Sequence, residues 1–314
     1  TNGARLIALP EVFVPGYPYW NWLFNPLEGS RWFKRLYRAS VDIPSADVNA
    51  LCQAAREVGS YVIIGVNERS PVSLGGIYNT NLVISPEGRL IGRHRKLVPT
   101  FAEKLTWASG DGSSLRVYDT EIGRVGTLAC GENTNTLARF TLLSQGELVH
   151  VANYIAFPFI EYYDMPEAIK IRAGAHSFEG KIYTIVACST MSDEIISMLC
   201  EDEACRKVLE GKPNAFSGVF GPSGRLITEP LVDDEGIVYA EIDLEKCIEP
   251  KQYHDIVGHY NRFDIFNLRV NRRSLAPVEF LSRGTPEESE PEQMAEASTE
   301  SKVVVQRRAL KSND

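Results

Sequence analysis

Short runs of apolar and β-branched residues, separated by turn residues, recur along the chain and predict strands. They fall over Arg5–Leu9, Tyr61–Asn67, Tyr78–Ser85, Arg89–Lys96, Arg124–Ala129, Leu148–Asn153, Ile182–Ser189, Ala215–Phe220, Arg225–Thr228 and Gly236–Ile242. A helical period replaces this pattern over Asp47–Val58, where Leu51, Ala54, Ala55 and Val58 share one face. The same period returns over Thr134–Gln145 and Pro166–Glu179. Strands alternating with helices predict an α/β fold.

Two segments share a strand–turn–strand plan: Asn81-Leu-Val-Ile-Ser-Pro-Glu-Gly-Arg-Leu-Ile-Gly and Ser217-Gly-Val-Phe-Gly-Pro-Ser-Gly-Arg-Leu-Ile-Thr. In both turns Pro presets φ and a Gly accepts positive φ, an order that suits a tight reversal. The polar stretch Asp193 to Pro213 reads as a surface excursion, either an assembly element or a mobile loop. From Gly284 the composition changes. Glu287 to Glu300 holds six acidic and no basic residues, and Lys302 to Lys311 turns basic. The expected organisation is therefore a domain over 1–283 and a disordered, solvated tail over 284–314.

Composition narrows the function classes. The 314 residues carry 41 Asp+Glu against 33 Lys+Arg, a formal net charge of −8, and 44% are hydrophobic. That supports a sizeable core, and no basic, aromatic-interleaved stripe points to nucleic acid. The longest uncharged runs, Val12 to Leu27 with its three prolines and Leu148 to Ile160, are shorter than the ~20 apolar residues of a membrane span. The six cysteines, at 52, 130, 188, 200, 205 and 247, form no zinc spacing and are too sparse for a disulfide scaffold. Cys200 and Cys205 bracket an acidic Glu-Asp-Glu-Ala run. The expected state is a reduced, cytoplasmic protein.

Three polar residues at strand ends carry the chemistry. Cys130 lies in Gly126-Thr-Leu-Ala-Cys-Gly-Glu-Asn, where a predicted strand turns into a helical segment. Free N–H groups and the partial positive charge of a helix start favour a thiolate, the attacking form of cysteine. Glu11 ends the apolar strand of Gly3-Ala-Arg-Leu-Ile-Ala-Leu-Pro-Glu-Val-Phe-Val-Pro-Gly-Tyr-Pro. Desolvation there raises a carboxyl pKa toward neutrality, as a general base needs. Lys96 ends the strand of Gly92-Arg-His-Arg-Lys-Leu-Val-Pro-Thr-Phe-Ala-Glu, and Glu103 follows seven positions later. Singly, each has a plain alternative: a buried structural thiol, a solvated loop carboxylate, a solvated basic face. Five histidines, at 94, 150, 176, 254 and 259, leave open a Cys–His hydrolase, with His150 or His176 as partner.

Together, Glu11, Lys96 and Cys130 resemble the triad of the nitrilase superfamily, and Glu103 resembles its additional glutamate. Cys130-Gly-Glu-Asn-Thr-Asn-Thr-Leu-Ala-Arg-Phe is similar to the nitrilase branch. The resemblance runs from about Gly3 to Leu281. It implies a four-layer αββα sandwich, here apparently without the usual first strand and helix. It implies hydrolysis of an organic nitrile to a carboxylic acid and ammonia through a Cys130 thioimidate and thioester. Glu11 would be the base, Lys96 and the Gly131 N–H the charge-stabilising donors, with no metal or organic cofactor. A homodimer or longer spiral is implied as well. Gly131 departs from the tryptophan many relatives carry, which opens space beside the thiol. Asn153-Tyr-Ile-Ala-Phe-Pro departs from their Tyr-Pro-Pro. The same triad also suits amide or carbamoyl hydrolysis or conversion of cyanide, and a chain short at its start leaves an inactive assembly module as the non-enzyme alternative.

Overall fold

The computed structural model describes residues 2–160, 162–211, 213–276 and 278. The expected tail over 284–314 lies outside them. Within Thr1–Ser274, two sheets stack face to face. The first comprises β1 (Leu6–Ala8), β2 (Tyr61–Arg69), β3 (Ile77–Ile84) and β4 (Leu90–Arg95), in that order, with β1 parallel to β2 and the rest antiparallel. The second comprises β5 (Tyr118–Thr120), β6 (Gly123–Ala129), β7 (Val149–Tyr154), β8 (Tyr183–Cys188), β9 (Phe216–Phe220) and β10 (Leu231–Val232). Its central strands β6, β7 and β8 are parallel, and its margins are antiparallel.

Ile63 and Val83 from the first sheet meet Val125, Val149 and Val151 from the second in a buried cluster, which explains why these strands read as nearly unbroken apolar runs. Helices cover the outer faces. Before α3 come α1 (Trp20–Leu23) and α2 (Pro26–Ala39). α3 (Ala46–Val58) buries Val48, Cys52 and Ala55 against Ile64, Val66, Leu82 and Ile84. It is capped by the Ser45 side chain at one end and by left-handed Gly59 at the other. On the second sheet, α4 (Thr136–Leu143) packs Ala138 and Leu142 on Leu128, and α5 (Met165–Gly180) packs Met165, Ile169 and Ala173 on Ala152, Val186 and Phe220. The result is the expected four-layer αββα sandwich.

Both tight turns close as expected. Ser85 accepts from Gly88 N and donates to Arg89 O, and Gly221 does the same with Gly224 and Arg225. The second return leg differs from the prediction. Over 225–228 only Leu226 bridges to Phe220, because the Thr228 side chain, not a backbone carbonyl, takes the Val219 N–H. Gly236–Ile242 forms no strand either; Ile237 and Tyr239 are exposed, and Leu231–Val232 pairs with β9 instead.

The excursion over 193–213 contains α6 (Asp193–Leu199) and α7 (Glu203–Glu210). Cys200 and Cys205 form a disulfide between them, which corrects the expectation of an all-reduced set. The two short helices bring these residues to a Cα separation of 5.3 Å, within the range a disulfide spans. Among the described residues the last helix is α8 (Ile248–His254). No helix among the described residues is long and apolar enough to cross a membrane.

Candidate active site

Glu11, Lys96 and Cys130 each stand shortly beyond the end of a strand. Glu11 follows β1, and its N–H donates to Tyr154 O at 3.3 Å, tying it to the second sheet. Gly65 of β2 passes against this segment: a Cβ there would lie 2.2 Å from Val12 N and 2.7 Å from the Glu11 carbonyl carbon, so only glycine fits. Lys96 follows β4, its N–H donating to Asn79 O at 2.8 Å. Glu103 sits in the 3₁₀ helix Phe101–Leu105, where its carboxylate also accepts the Thr100 N–H in a capping box. Cys130 follows β6 and opens the 3₁₀ helix Cys130–Thr134 with φ +46°. Val12 and Phe101 are likewise non-glycine residues at positive φ. Backbone strain of about 1–3 kcal/mol per such residue therefore gathers around the same cleft.

The geometry joins three of these groups. Lys96 Nζ donates to Glu11 Oε1 at 2.8 Å and to Glu103 Oε2 at 2.7 Å. Asn79 Nδ2 donates to the same Glu11 Oε1 at 2.7 Å, which leaves Glu11 Oε2 buried and without a hydrogen-bond partner. Tyr17 Oη donates to Glu103 Oε1 at 2.9 Å and accepts from Trp22 Nε1. Glu11, Lys96 and Glu103 are each at most 2% exposed. Cys130 lies within electrostatic reach of all three.

Burial and these neighbours set the protonation states. Burial raises the Glu11 carboxyl; Lys96 opposes that rise and Glu103 adds to it. For Lys96, burial pulls downward, but Glu103 and Glu11 outweigh it and hold the ammonium well above the usual lysine range. The Cys130 thiol is pushed well above the usual range by burial first and by Glu11 second, with Lys96 only partly opposing. The resting group is thus a thiol. That corrects the thiolate expected from a helix start, because desolvation exceeds what one short 3₁₀ turn supplies.

Gly131 presents its backbone N–H in the first turn of that 3₁₀ helix, where donors have no intrahelical partner. A Cβ at Gly131 would begin 3.0 Å from Thr100 Oγ1, so a larger residue here would press on the loop that carries Glu103. Glu132, the next residue, was missed as a site element. Its carboxylate accepts from Ala129 N at 2.9 Å, Leu97 N at 2.7 Å and His94 Nε2 at 3.0 Å, and so ties the Lys96 and Cys130 strand ends together. Although burial works against it, His94 and the two N–H donors keep Glu132 below the usual carboxylate range. Asn79 was missed too. Its signal is the buried polar run Asn79-Thr-Asn within a strand whose other residues are apolar or aromatic, which calls for specific partners.

The histidines do not form a Cys–His pair. His94 bonds to Glu132, while His150 and His176 turn to Glu147. Of the flanking residues, Trp107 Nε1 donates to Asn67, Thr106 accepts from Asn21, and Tyr154 is fully buried. Trp22 belongs to an aromatic cluster with Phe101, Phe157 and Phe159.

Known proteins show the same arrangement of chain. The aliphatic nitrilase of Rhodococcus rhodochrous is 37% identical over 286 residues, covering 88% of this chain and 76% of that protein. A nitrilase of Bacillus sp. (strain OxB-1) is 35% identical over 288 residues, covering 91% and 84%. Among solved structures, Saccharomyces cerevisiae Nit3, a member of branch 10 of the nitrilase superfamily, superposes with a TM-score of 0.63 at 20% identity, covering 83% of each chain. Residues 1–252 match the carbon-nitrogen hydrolase family. With that match over most of its length and relatives of this identity, the chain belongs to the carbon-nitrogen hydrolase family, in its nitrilase branch.

Proposed function

We propose that this chain hydrolyses an organic nitrile to the carboxylic acid and ammonia, with Cys130 as nucleophile. One observation carries the reading: Lys96 and Asn79 occupy one oxygen of Glu11 and leave the other, buried and within electrostatic reach of the thiol, without a protein partner. A buried acceptor of raised pKa takes a proton readily.

Glu11 Oε2 takes the Cys130 proton as Sγ bonds to the nitrile carbon. One C–N π bond becomes a nitrogen lone pair, and that nitrogen is protonated to give a thioimidate. Lys96 has a third N–H beyond the two its carboxylates hold, and with the Gly131 N–H it stabilises the developing charge. Donors fixed in advance in this way are worth about 10²–10³-fold each. Glu11 then activates water, which adds to the carbon. Proton transfer to nitrogen lets the C–N bond break, ammonia leaves, and a thioester remains. A second water cleaves the C–S bond, releasing the acid and restoring the thiol. Glu103, held by Tyr17 and Thr100, keeps Lys96 charged and in place. The thiol supplies covalent catalysis, so no step draws on a cofactor.

Purified protein is to be incubated with aliphatic and aryl nitriles, their amides and cyanide, with ammonia, acid and formamide measured. The expected result is equal acid and ammonia from at least one nitrile. Turnover of amides alone, or formamide from cyanide without ammonia, overturns it. The reading includes self-association in a cytoplasmic setting. Exposed Ile171 and Phe178 on α5 support a self-association surface, and sedimentation velocity tests it.

A further inference from the structure

Behind the Cys130 turn lies a second buried cluster, Glu147, His150 and His176, each at most 1% exposed. It reaches the nucleophile through Asn133. Asn133 Nδ2 donates to Leu128 O at 3.2 Å and to Cys130 O at 3.0 Å. Two carbonyls can only accept, so this amide has one orientation, and its Oδ1 faces His150 Nε2 at 2.8 Å. His150 Nε2 must therefore carry a proton. On the other side of the ring, Nδ1 stands 2.7 Å from Glu147 Oε1. Burial alone would raise the Glu147 carboxyl, but His150 and His176 bring it down to about 2, so it is ionised and accepts as well. His176 Nε2 meets the other Glu147 oxygen at 2.9 Å.

We propose that Glu147, His150 and Asn133 form a buried relay that holds the strained Cys130 turn in its reactive shape, with His150 a positioning residue bonded through both ring nitrogens. The proposal rests on Cys130 being the nucleophile. The positive φ of Cys130 persists only if its surroundings over-determine it. Asn133 grips the carbonyl of Cys130, and Glu132 holds the N–H of Ala129 immediately before it. The imidazole fixes the Asn133 amide through Nε2, and Glu147 fixes the ring through Nδ1. The three side chains are also a His₂Glu donor set whose ligand atoms lie within 4.8 Å of one another. Their contacts of 2.7 and 2.9 Å are nevertheless hydrogen-bond lengths. Metal bonds of about 2.0–2.1 Å in a tetrahedron place neighbouring donors roughly 3.3 Å apart.

The test compares three variants of the full chain. Asn133→Ala leaves the Glu147–His150 pair intact and should lower kcat at least ~10-fold with KM within about 2-fold, the signature of a misplaced nucleophile. His150→Gln places an amide donor near the Nε2 position and His150→Asn places one near Nδ1. The first should retain most of the rate. The second, which loses the Asn133 contact, should not, even after correction for folded fraction by circular dichroism. Wild-type kcat in Asn133→Ala overturns the relay, as does equal loss in the two His150 variants in proportion to folded protein. One equivalent of a transition metal in the purified wild-type protein, absent from both His150 variants, also overturns it. Turnover by Cys130→Ser would instead remove the nucleophile assignment itself, so the two failures are distinguishable.

Discussion

Two buried acid–base clusters bear on Cys130, and they differ in what they leave open. In the first, Lys96 joins Glu11 and Glu103, yet Glu11 Oε2 has no partner and the lysine keeps a third N–H. In the second, each oxygen of Glu147 has its own imidazole and both nitrogens of His150 are bonded, His176 Nδ1 alone being left over. Both are buried and charged, so burial alone does not separate a reacting group from a supporting one. The pairing of the carboxylate does: an unpaired oxygen stands where a proton is to move, while a carboxylate with both oxygens paired stands where an atom is to stay.

The largest expected effect comes from the open cluster. Cys130→Ser and Glu11→Gln should each abolish nitrile turnover, by ~10⁴-fold or more, because groups that act as one unit fail together. The fold should persist, since neither change alters shape. Ammonia release and far-UV circular dichroism check this; a Glu11→Gln enzyme within tenfold of wild type would close the distinction drawn here. Lys96→Arg comes next, at about 10²–10³-fold in kcat. The fork of a guanidinium cannot donate to two carboxylates and to a developing charge from one compact point.

A third effect falls on stability. Gly65→Ala forces a methyl group to 2.2 Å from Val12 N, and backbone on both sides leaves nothing flexible to yield. Overpacking of this kind costs about 1–3 kcal/mol, read as a lower thermal midpoint. Because the displaced segment carries Glu11, kcat should fall in the folded fraction as well. A normal midpoint with normal kcat would mean that β2 does not position the base.

These expectations also mark how far the sequence reaches. Glu11 and Cys130 were legible because each follows an apolar strand, where a polar residue needs a reason; Lys96, after Arg93-His-Arg, was legible only through the resemblance of the three together. The central strands were legible for the same cause, since burial on both faces produces runs such as Val149 to Ala152. Tyr17 was not: its partner Glu103 is 86 positions away, and nothing local marks the pairing. Asn133 escaped, and His150 was weighed only as a partner of the thiol, because their value lies in the orientation of an amide between two carbonyls, which only coordinates supply. α2 is a different case. Trp32, Phe33, Leu36 and Tyr37 recur at helical spacing, and Asn25 with Pro26 forms an evident start. Cys200 and Cys205 needed two short helices to bring them together.

The smallest effect sharpens the comparison from the closed side. His176 is lowered from 6.5 to about 4, by burial first and by His150 second, with Glu147 opposing. Between those values the unfolded chain binds a proton that the folded chain refuses, so unfolding takes up protons and stability declines as pH falls from 6.5 toward 4. Glu147, lowered from 4.5 to about 2, adds a loss in the same direction between 4.5 and 2. The His176 share is at most about 3 kcal/mol. His176→Gln keeps a donor for Glu147 but removes the titration. Its urea midpoint should therefore change less between pH 7 and pH 5 than that of the wild type, with kcat at pH 7 nearly unchanged because no bond joins His176 to the Asn133 amide. An identical pH slope in the variant would mean that the second cluster is not closed to protons, and the contrast between the clusters would fail.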